Sequence, residues 1–488
     1  MPASARPDVA APPGGGLRPP EAAAPPRGPA ARRPAGPLVA RGVRSWAPVL
    51  VGCVVLAAVS LLLPGRPTYD PLAWLIWGRE IAHGTLSTAG GPSWKPLPVV
   101  FTTPFSLAGD AAAPDLWLIV ARAGGLLGVV MGYRLGARLA GPVAGIIAAL
   151  GIFCSEGFVF HAWRGNSEGL LVGLSLWAVE RHLDGRRASA FVLGFAAALL
   201  RPEVWPFWGL YGVWLFVREP RRRVLVAACF AAVPLAWLGP EYLGSGDFLR
   251  AANRALEPNL DSPAYASFPA LEVLRQSLAL LPAVIAAGAI AAFAAAVRRR
   301  RDEHDHVVLV LAAMAGALLL AVAVMTQIGF SGNLRYVLLP IALLCVLAGA
   351  GWVEAVRAAG RRAGVLAAVA LAALGLAGAA HAGARAVQDA DDQAQAVRRE
   401  ADLDTDLASA VARAGGERAL ARCGPVFTGR FQVPIVAWTL HLRLRDVDIF
   451  PLPPGGTAAP SEGALARDPR FEVVARSARW TIGRACAG

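Results

Sequence analysis

The sequence predicts an all-α polytopic membrane protein of about eleven transmembrane helices, followed by a small α/β extracytoplasmic C-terminal domain. Three observations carry that prediction. Of 488 residues, 56% are hydrophobic and only 17% are charged, with a mean hydropathy of +0.49, an apolar excess over ordinary soluble domains. Apolar spans recur through residues 46–381, most of them near the roughly 17–25 residues that a helical crossing needs. Beyond residue 381 the chain turns polar and carries short strand-like runs. The formal net charge is +13, but the arginines fall in short clusters between apolar spans, where they act as topology signals. The expected partner is therefore the lipid bilayer and not nucleic acid.

Residues 1–45 are rich in Pro, Ala and Gly and lack the periodicity needed to bury a core, so they read as a disordered cytoplasmic tail. The first span, residues 46–64, follows Arg41 and Arg44. The tail before it is too long for the n-region of a signal peptide, so the span is expected to be retained. Further spans are expected at 116–133, 140–157, 167–180, 188–200, 203–217, 224–239, 273–297, 307–327, 336–356 and 363–381. The two spans on either side of Arg201-Pro202-Glu203 read either as two crossings or as a broken pair.

With the N-terminus inside, every arginine cluster falls on the cytoplasmic side: Arg134/Arg138, Arg181/Arg186/Arg187, Arg218/Arg221/Arg222/Arg223, Arg298 to Arg301, and Arg357/Arg361/Arg362. That orientation puts the loops carrying Asp70, Lys95, His161, Arg201 and Arg335 outside, together with the C-terminus. The charges on those loops are the ones topology does not explain.

The C-terminal region, 382–488, opens with an acidic, Ala-rich stretch expected to be helical and continues into the strand-like runs VPIVAWTLHL and FEVVARSARWTI. Four cysteines lie in apolar spans. Cys423 and Cys486 lie in this polar region and form a disulfide if it faces an oxidising compartment. No Walker A, GxGxxG, HExxH or paired CxxC pattern occurs, and no cofactor or metal is expected. Abundant Ala, Gly, Arg and Pro point to a GC-rich bacterial genome such as that of an actinobacterium.

The most informative stretch is YDPLAWLIWGREIAHGTLSTAGGPSWKPLPVVFTTPF, residues 69–105, which places Asp70, Glu80 and Lys95 at a membrane edge. Leu72, Leu75, Ile76 and Ile81 share one helical face and Trp74 and Trp77 suit the headgroup layer, so a short interfacial helix is expected, with Asp70 placed to act as its N-cap. Lys95 is the only lysine in a chain otherwise committed to arginine, and a compact ammonium suits a phosphate or a substrate oxygen. The loop FHAWRGNSEGLL offers His161, Arg164, Asn166 and Glu168, the last at the mouth of a span. Arg201 and Arg335 face outward against the topological trend, where a guanidinium binds phosphate through paired hydrogen bonds. Capping, snorkelling and lipid anchoring are the alternative readings for these groups.

Together these residues resemble the GT-C membrane glycosyltransferases, closest in pattern to the protein O-mannosyltransferase and lipid A aminoarabinose transferase group. The resemblance rests on an acidic residue after the first span, Lys95-Pro96-Leu97-Pro98, Ser167-Glu168, the Arg201-Pro202-Glu203 turn, and Arg335-Tyr336 followed by Pro340, and it covers residues 46–381. It implies transfer of a sugar from a polyprenyl-phosphate donor to a cell-envelope glycan, lipid or protein on the external face. Asp70 and Glu168 match the catalytic acids, and Lys95 and Arg335 match contacts to the donor phosphate. Arg201, Tyr336, His161 and Arg164 complete the expected substrate-binding set. Asp70-Pro71 stands where many members carry adjacent acids, and Leu97 interrupts the paired prolines. A transporter or flippase of a lipid-linked or anionic precursor is the alternative function, but the repeated halves and mid-membrane charge pairs it calls for are missing from the sequence. A non-catalytic envelope scaffold is a third.

Overall fold

The computed structural model describes residues 46–299, 302–360, 366, 370 and 391–486. The first helix, α1 (Ala47–Val59), leads into α2 (Tyr69–Ala82) and α3 (Pro96–Ser106). Next come α4 (Ala113–Ala140), α5 (Pro142–Phe153), α6 (Phe158–Trp163), α7 (Glu168–Leu183), α8 (Arg187–Ala198), α9 (Trp205–Arg218) and α10 (Arg223–Ser245). The helical part continues with α11 (Arg250–Ala255), α12 (Pro269–Ala279), α13 (Ala283–Arg299), α14 (Glu303–Gln327) and α15 (Leu338–Ala358).

Among the described residues, four helices are long and apolar enough to cross a membrane: Ala113–Ala140, Pro220–Ser245, Glu303–Gln327 and Leu334–Ala358. Leu210, Val224, Leu235 and Ile290 turn large apolar side chains outward, as lipid-facing positions do. The chain is a membrane protein. The expected count of about eleven crossings exceeds these four. Several predicted spans form shorter apolar helices, such as Pro142–Phe153 and Arg187–Ala198, and 363–381 falls almost wholly outside the described residues.

Residues 273–297, expected as one continuous span, break at 280–282, where α12 and α13 meet at 101°. Pro282 precedes the first residue of α13, and a proline with no N–H to donate cannot carry a helix through. The stretch on either side of Arg201 forms two separate helices, α8 and α9, joined by a 3-10 turn at Pro202–Val204.

Small residues let the central helices close on each other. A Cβ at Gly124 of α4 would fall 2.6 Å from Leu170 Cα of α7, and one at Gly173 of α7 would fall 2.7 Å from Gly124 O. This contact holds the start of α7 against α4.

α2 departs from the interfacial helix expected of it. Trp74 and Trp77 are fully buried: Trp74 packs edge-on against Trp117 at 5.5 Å, and Trp77 lies 5.2 Å from Trp94. A neighbouring helix and the C-terminal segment supply the burial that the sequence reading assigned to headgroups. Nor is Asp70 the N-cap. Thr68 takes that place, its carbonyl accepting from Leu72 N at 2.9 Å, and Asp70 sits in the first turn with its side chain free for another partner.

Residues 391–413 form α16, as their Ala-rich acidic sequence led one to expect. Then follow α17 (Glu417–Ala421), β1 (Val426–Phe427), α18 (Val433–Thr439), β2 (Val447–Asp448), β3 (Gly455–Pro460), β4 (Glu472–Arg476) and β5 (Trp480–Ala485). The sheet order is β2-β1-β3-β5-β4, with β1 parallel to β2 and β3 and with β5 antiparallel to β3 and β4. FEVVARSARWTI makes the β4–β5 hairpin as expected. VPIVAWTLHL forms α18 instead of a strand. Its buried Val433, Val436, Ala437 and Leu440 follow the i, i+3, i+4, i+7 spacing of a helix, and that period outweighs the β-branched composition. Cys423 and Cys486 are joined in a disulfide.

Candidate active site

Five segments, distant in sequence, bring charge together at one place. The first turn of α2 brings Asp70, and the residue before α3 brings Lys95. Glu168 opens α7, Arg201 precedes the turn into α9, and Arg335 lies in the 3-10 turn Leu334–Val337 that leads into α15. Asn333 fixes that turn by accepting Arg335 N at 3.1 Å.

Arg335 is the hub. Its Nη2 donates to Asp70 Oδ2 at 2.6 Å, its Nη1 donates to Asn166 Oδ1 at 3.0 Å, and its Nε stands 3.6 Å from Glu168 Oε1. Lys95 Nζ donates to Ser167 Oγ at 3.3 Å, lies 4.0 Å from Glu168 Oε1, and sits 5.1 Å over the Trp74 ring. Arg201 Nη2 donates to Glu203 Oε1 at 2.8 Å while Nη1 stands 3.8 Å from Glu168 Oε1. The Arg201 guanidinium sits over the Tyr336 ring, its carbon 3.7 Å from the ring centre, and Ser331 donates to the Tyr336 hydroxyl at 3.2 Å.

Glu168 is thus ringed by three cations, none of them at hydrogen-bonding distance. Both of its oxygens, and Arg335 Nε, are buried without a hydrogen-bond partner in the structure. Buried polar groups are ordinarily satisfied, because leaving one unpaired costs about 1–3 kcal/mol. Of these unmet groups only Arg335 Nε is a donor, and a phosphate oxygen can accept from it; the Glu168 oxygens are acceptors and need an N–H or O–H instead.

Asp70 feels two opposed effects. Burial pushes its carboxyl up, but the charges of Arg335 and Lys95 outweigh it and hold the group below the usual aspartate range. It is an anion at neutral pH. Burial lowers the Lys95 ammonium despite the pull of Glu168. His161, in α6, is pushed down to about 4, chiefly by burial, and is therefore neutral; its Nδ1 lies 3.3 Å from Asn166 Nδ2. It supports the asparagine that holds Arg335. Arg164 is not brought to the cluster: it forms an ion pair with Glu400 of α16 and stacks 4.5 Å from Phe160. Asn166, Ser167 and Glu203, which the sequence reading named beside the candidate charges without giving them a role in the site, are here the hydrogen-bond partners of Arg335, Lys95 and Arg201. Among the described residues, no group of three or more His, Cys, Asp or Glu side chains is placed to hold a metal ion.

Glu80, the third charge of the 69–105 stretch, lies apart from this cluster. It is buried beneath the C-terminal segment, where Oε2 accepts Ser87 N at 2.7 Å and Oε1 has no partner. Burial pushes it up to about 7. A carboxyl with a raised folded-state pKa stabilises the fold below its unfolded value, and that contribution is lost as pH rises from about 4.5 towards 7. Glu80→Gln is therefore expected to be more stable than the parent near pH 8, by roughly 1–3 kcal/mol, with the difference gone near pH 4.5. Thermal unfolding of both proteins in detergent across this range measures it, and parallel pH profiles would refute the assignment.

No protein-family model matches the sequence, and no curated protein matches it. Solved structures do. ArnT from Cupriavidus metallidurans bound to undecaprenyl phosphate aligns with a TM-score of 0.56 at 15% identity, covering 91% of this chain and 98% of that one. The chain has the fold of ArnT. The apo state of the same protein gives a TM-score of 0.53 at 15% identity over 90% and 97% of the two chains. The Archaeoglobus fulgidus oligosaccharyltransferase in its apo form gives 0.46 at 12% identity over 83% and 64%. The resemblance drawn from scattered motifs in the sequence points to the lipid A aminoarabinose transferase group, and the likeness to ArnT extends along nearly the whole chain.

Proposed function

We propose that the chain is a membrane glycosyltransferase that moves a sugar from a polyprenyl-phosphate-linked donor to a cell-envelope glycan, lipid or protein acceptor on the external face. One observation carries this reading: Lys95, Arg201 and Arg335 converge around Glu168 beside the ionised Asp70, and Arg335 Nε is left as an unpartnered donor. The fold supports it, since ArnT is known with undecaprenyl phosphate bound.

In the proposed reaction the acceptor oxygen attacks the anomeric carbon as the bond to the phosphate oxygen breaks, and the polyprenyl phosphate leaves with the bonding pair. Asp70 takes the acceptor's proton. Lys95, Arg201 and Arg335 compensate the charge left on the phosphate, which needs little protonation to depart. Glu168 is the counter-ion that keeps three buried cations together before the donor arrives. Arg335 now pairs with Asp70, so a phosphate that draws Arg335 towards it also frees the carboxylate for the acceptor. Tyr336 keeps the Arg201 guanidinium in place.

The proposed orientation is N-terminus in the cytoplasm and C-terminus outside. α7 runs from Glu168 at the cluster to Arg181, and the span Leu334–Ala358 runs from Arg335 at the cluster to Arg357, so the arginine ends lie opposite the site. The proposed divisions are 1–45 as tail, 46–381 as the membrane domain and 382–488 as the extracytoplasmic domain.

Lys95→Ala tests the phosphate contact. Loss of a charge-assisted hydrogen bond of about 1.5–3 kcal/mol should weaken binding of undecaprenyl phosphate by roughly 10–100-fold, and Lys95→Arg should restore only part, because a planar fork does not replace a point charge. Unchanged binding by Lys95→Ala on the purified protein would remove Lys95 from the donor site.

A further inference from the structure

Outside the charge cluster, a second set of polar bonds ties down the loop that delivers Lys95. Residues 83–94 read HGTLSTAGGPSW, a sequence whose glycines and small polar residues supply almost no order of their own. The loop is tied to α2, where Trp77 Nε1 donates to Ser87 O at 3.1 Å and Ser87 N to Glu80 Oε2 at 2.7 Å, and nearer Lys95 to α10, α11 and the turn between them. Thr88 N donates to Gly244 O at 3.2 Å, Ser93 Oγ to Ala251 O at 2.8 Å, and Trp94 Nε1 to Ala236 O at 3.0 Å.

At the centre of that contact is a buried ion pair. Glu241 of α10 is 0% exposed, and Arg250, the first residue of α11, grips it with both ends of its fork: Nε to Oε2 at 2.7 Å and Nη2 to Oε1 at 2.8 Å. The same guanidinium reaches the loop, with Nη2 donating to Pro92 O at 2.9 Å and Nη1 to Gly91 O at 3.4 Å. Gly91 and Pro92 lie within four residues of Lys95. A buried pair of this kind contributes little net stability compared with well-packed apolar residues, because desolvating two charges cancels most of their attraction. What it supplies is direction, since only a guanidinium whose angle is set by a bidentate carboxylate aims its remaining N–H groups at two successive carbonyls.

We propose that Glu241 and Arg250 are positioning residues that fix the Lys95 ammonium against Ser167 and Glu168, and so set the affinity of the site for the donor phosphate. This rests on the donor-binding reading of the cluster. Neither residue touches the cluster itself; they act through the loop backbone.

Lys95 is the only lysine, which makes its position directly measurable. The full-length protein in nanodiscs is treated with an amine-acylating reagent and Lys95 modification is followed by peptide mass spectrometry, alongside maleimide labelling of buried Cys345 as a monitor of general unfolding. In the wild type both are slow, since Lys95 is 7% exposed. Arg250→Met and Glu241→Gln should raise Lys95 modification about tenfold or more while Cys345 stays protected, and Arg250→Lys, which keeps the charge and loses the fork, should fall between. In transfer assays the same variants should raise KM for the donor about tenfold and leave kcat within about threefold. Lys95 modification at the wild-type rate in Arg250→Met and Glu241→Gln would overturn the proposal. So would Cys345 becoming reactive together with Lys95 in all three variants, which makes the pair a general stabiliser. If the wild type transfers sugar from no polyprenyl-phosphate donor, the glycosyltransferase reading fails while the labelling still decides the positioning role.

Discussion

Asp70→Asn is expected to cut sugar transfer by roughly 10²–10⁴-fold while binding of the lipid phosphate stays close to that of the parent, because the substitution removes a base and keeps its shape. The variant should still fold and insert. Arg335 keeps its bond to Asn166 Oδ1 and its proximity to Glu168, so the guanidinium is not left without an anion. The pH profile adds a second test. Asp70 lies below the usual aspartate range in the unliganded protein, and kcat/KM reports the free enzyme, so its acid limb should fall below the ordinary carboxylate range. If the donor phosphate draws Arg335 away, the carboxyl loses its principal counter-charge in the complex, and the acid limb of kcat should lie higher than that of kcat/KM. Transfer near the parental rate by Asp70→Asn would return this residue to a purely structural pairing with Arg335.

Arg335→Leu has the other large expected effect, and it acts on stability as well as binding. Removing one partner of a buried pair leaves an uncompensated charge, a loss of about 3–5 kcal/mol, and here Asp70 loses its only hydrogen-bonded cation. The double variant Asp70→Asn/Arg335→Leu takes away both charges and should recover much of that stability, while transfer and donor binding remain lost. Thermal unfolding of the two single variants and the double variant in detergent measures the coupling. Additive losses would mean that the two side chains do not depend on each other.

The residues of the cluster were legible in the sequence because topology left them unexplained. Asp70, Lys95, Glu168, Arg201 and Arg335 sit at the mouths of apolar spans, on the face where the arginine clusters do not fall, and a charge at such a place needs a partner. Their mutual arrangement was not legible, since a sequence separation of 265 between Asp70 and Arg335 says nothing of the 2.6 Å contact. Arg164 looked equivalent to its neighbours by position, yet Glu400, in a segment read as a separate domain, claims it. Trp74 and Trp77 misled for the same reason, as composition gives amphipathic aromatics to the headgroup layer but cannot tell that α18 and α3 cover the helix. Glu241 and Arg250 left no signal of their own, being ordinary charges beyond the predicted span 224–239 until the fold sets the loop before Lys95 against Arg250. The run 433–440 did carry a helical period, which the weight of its β-branched residues obscured.

The central claim is that the cluster transfers sugar from a polyprenyl-phosphate donor. Membranes containing the protein, incubated with a panel of radiolabelled polyprenyl-phosphate sugars, test it directly. The account predicts that label from at least one donor passes to envelope material, and that the same membranes carrying Asp70→Asn do not transfer it although they still bind the lipid. Retention of label on every donor by the wild-type protein, or equal transfer by the Asp70→Asn membranes, would contradict it.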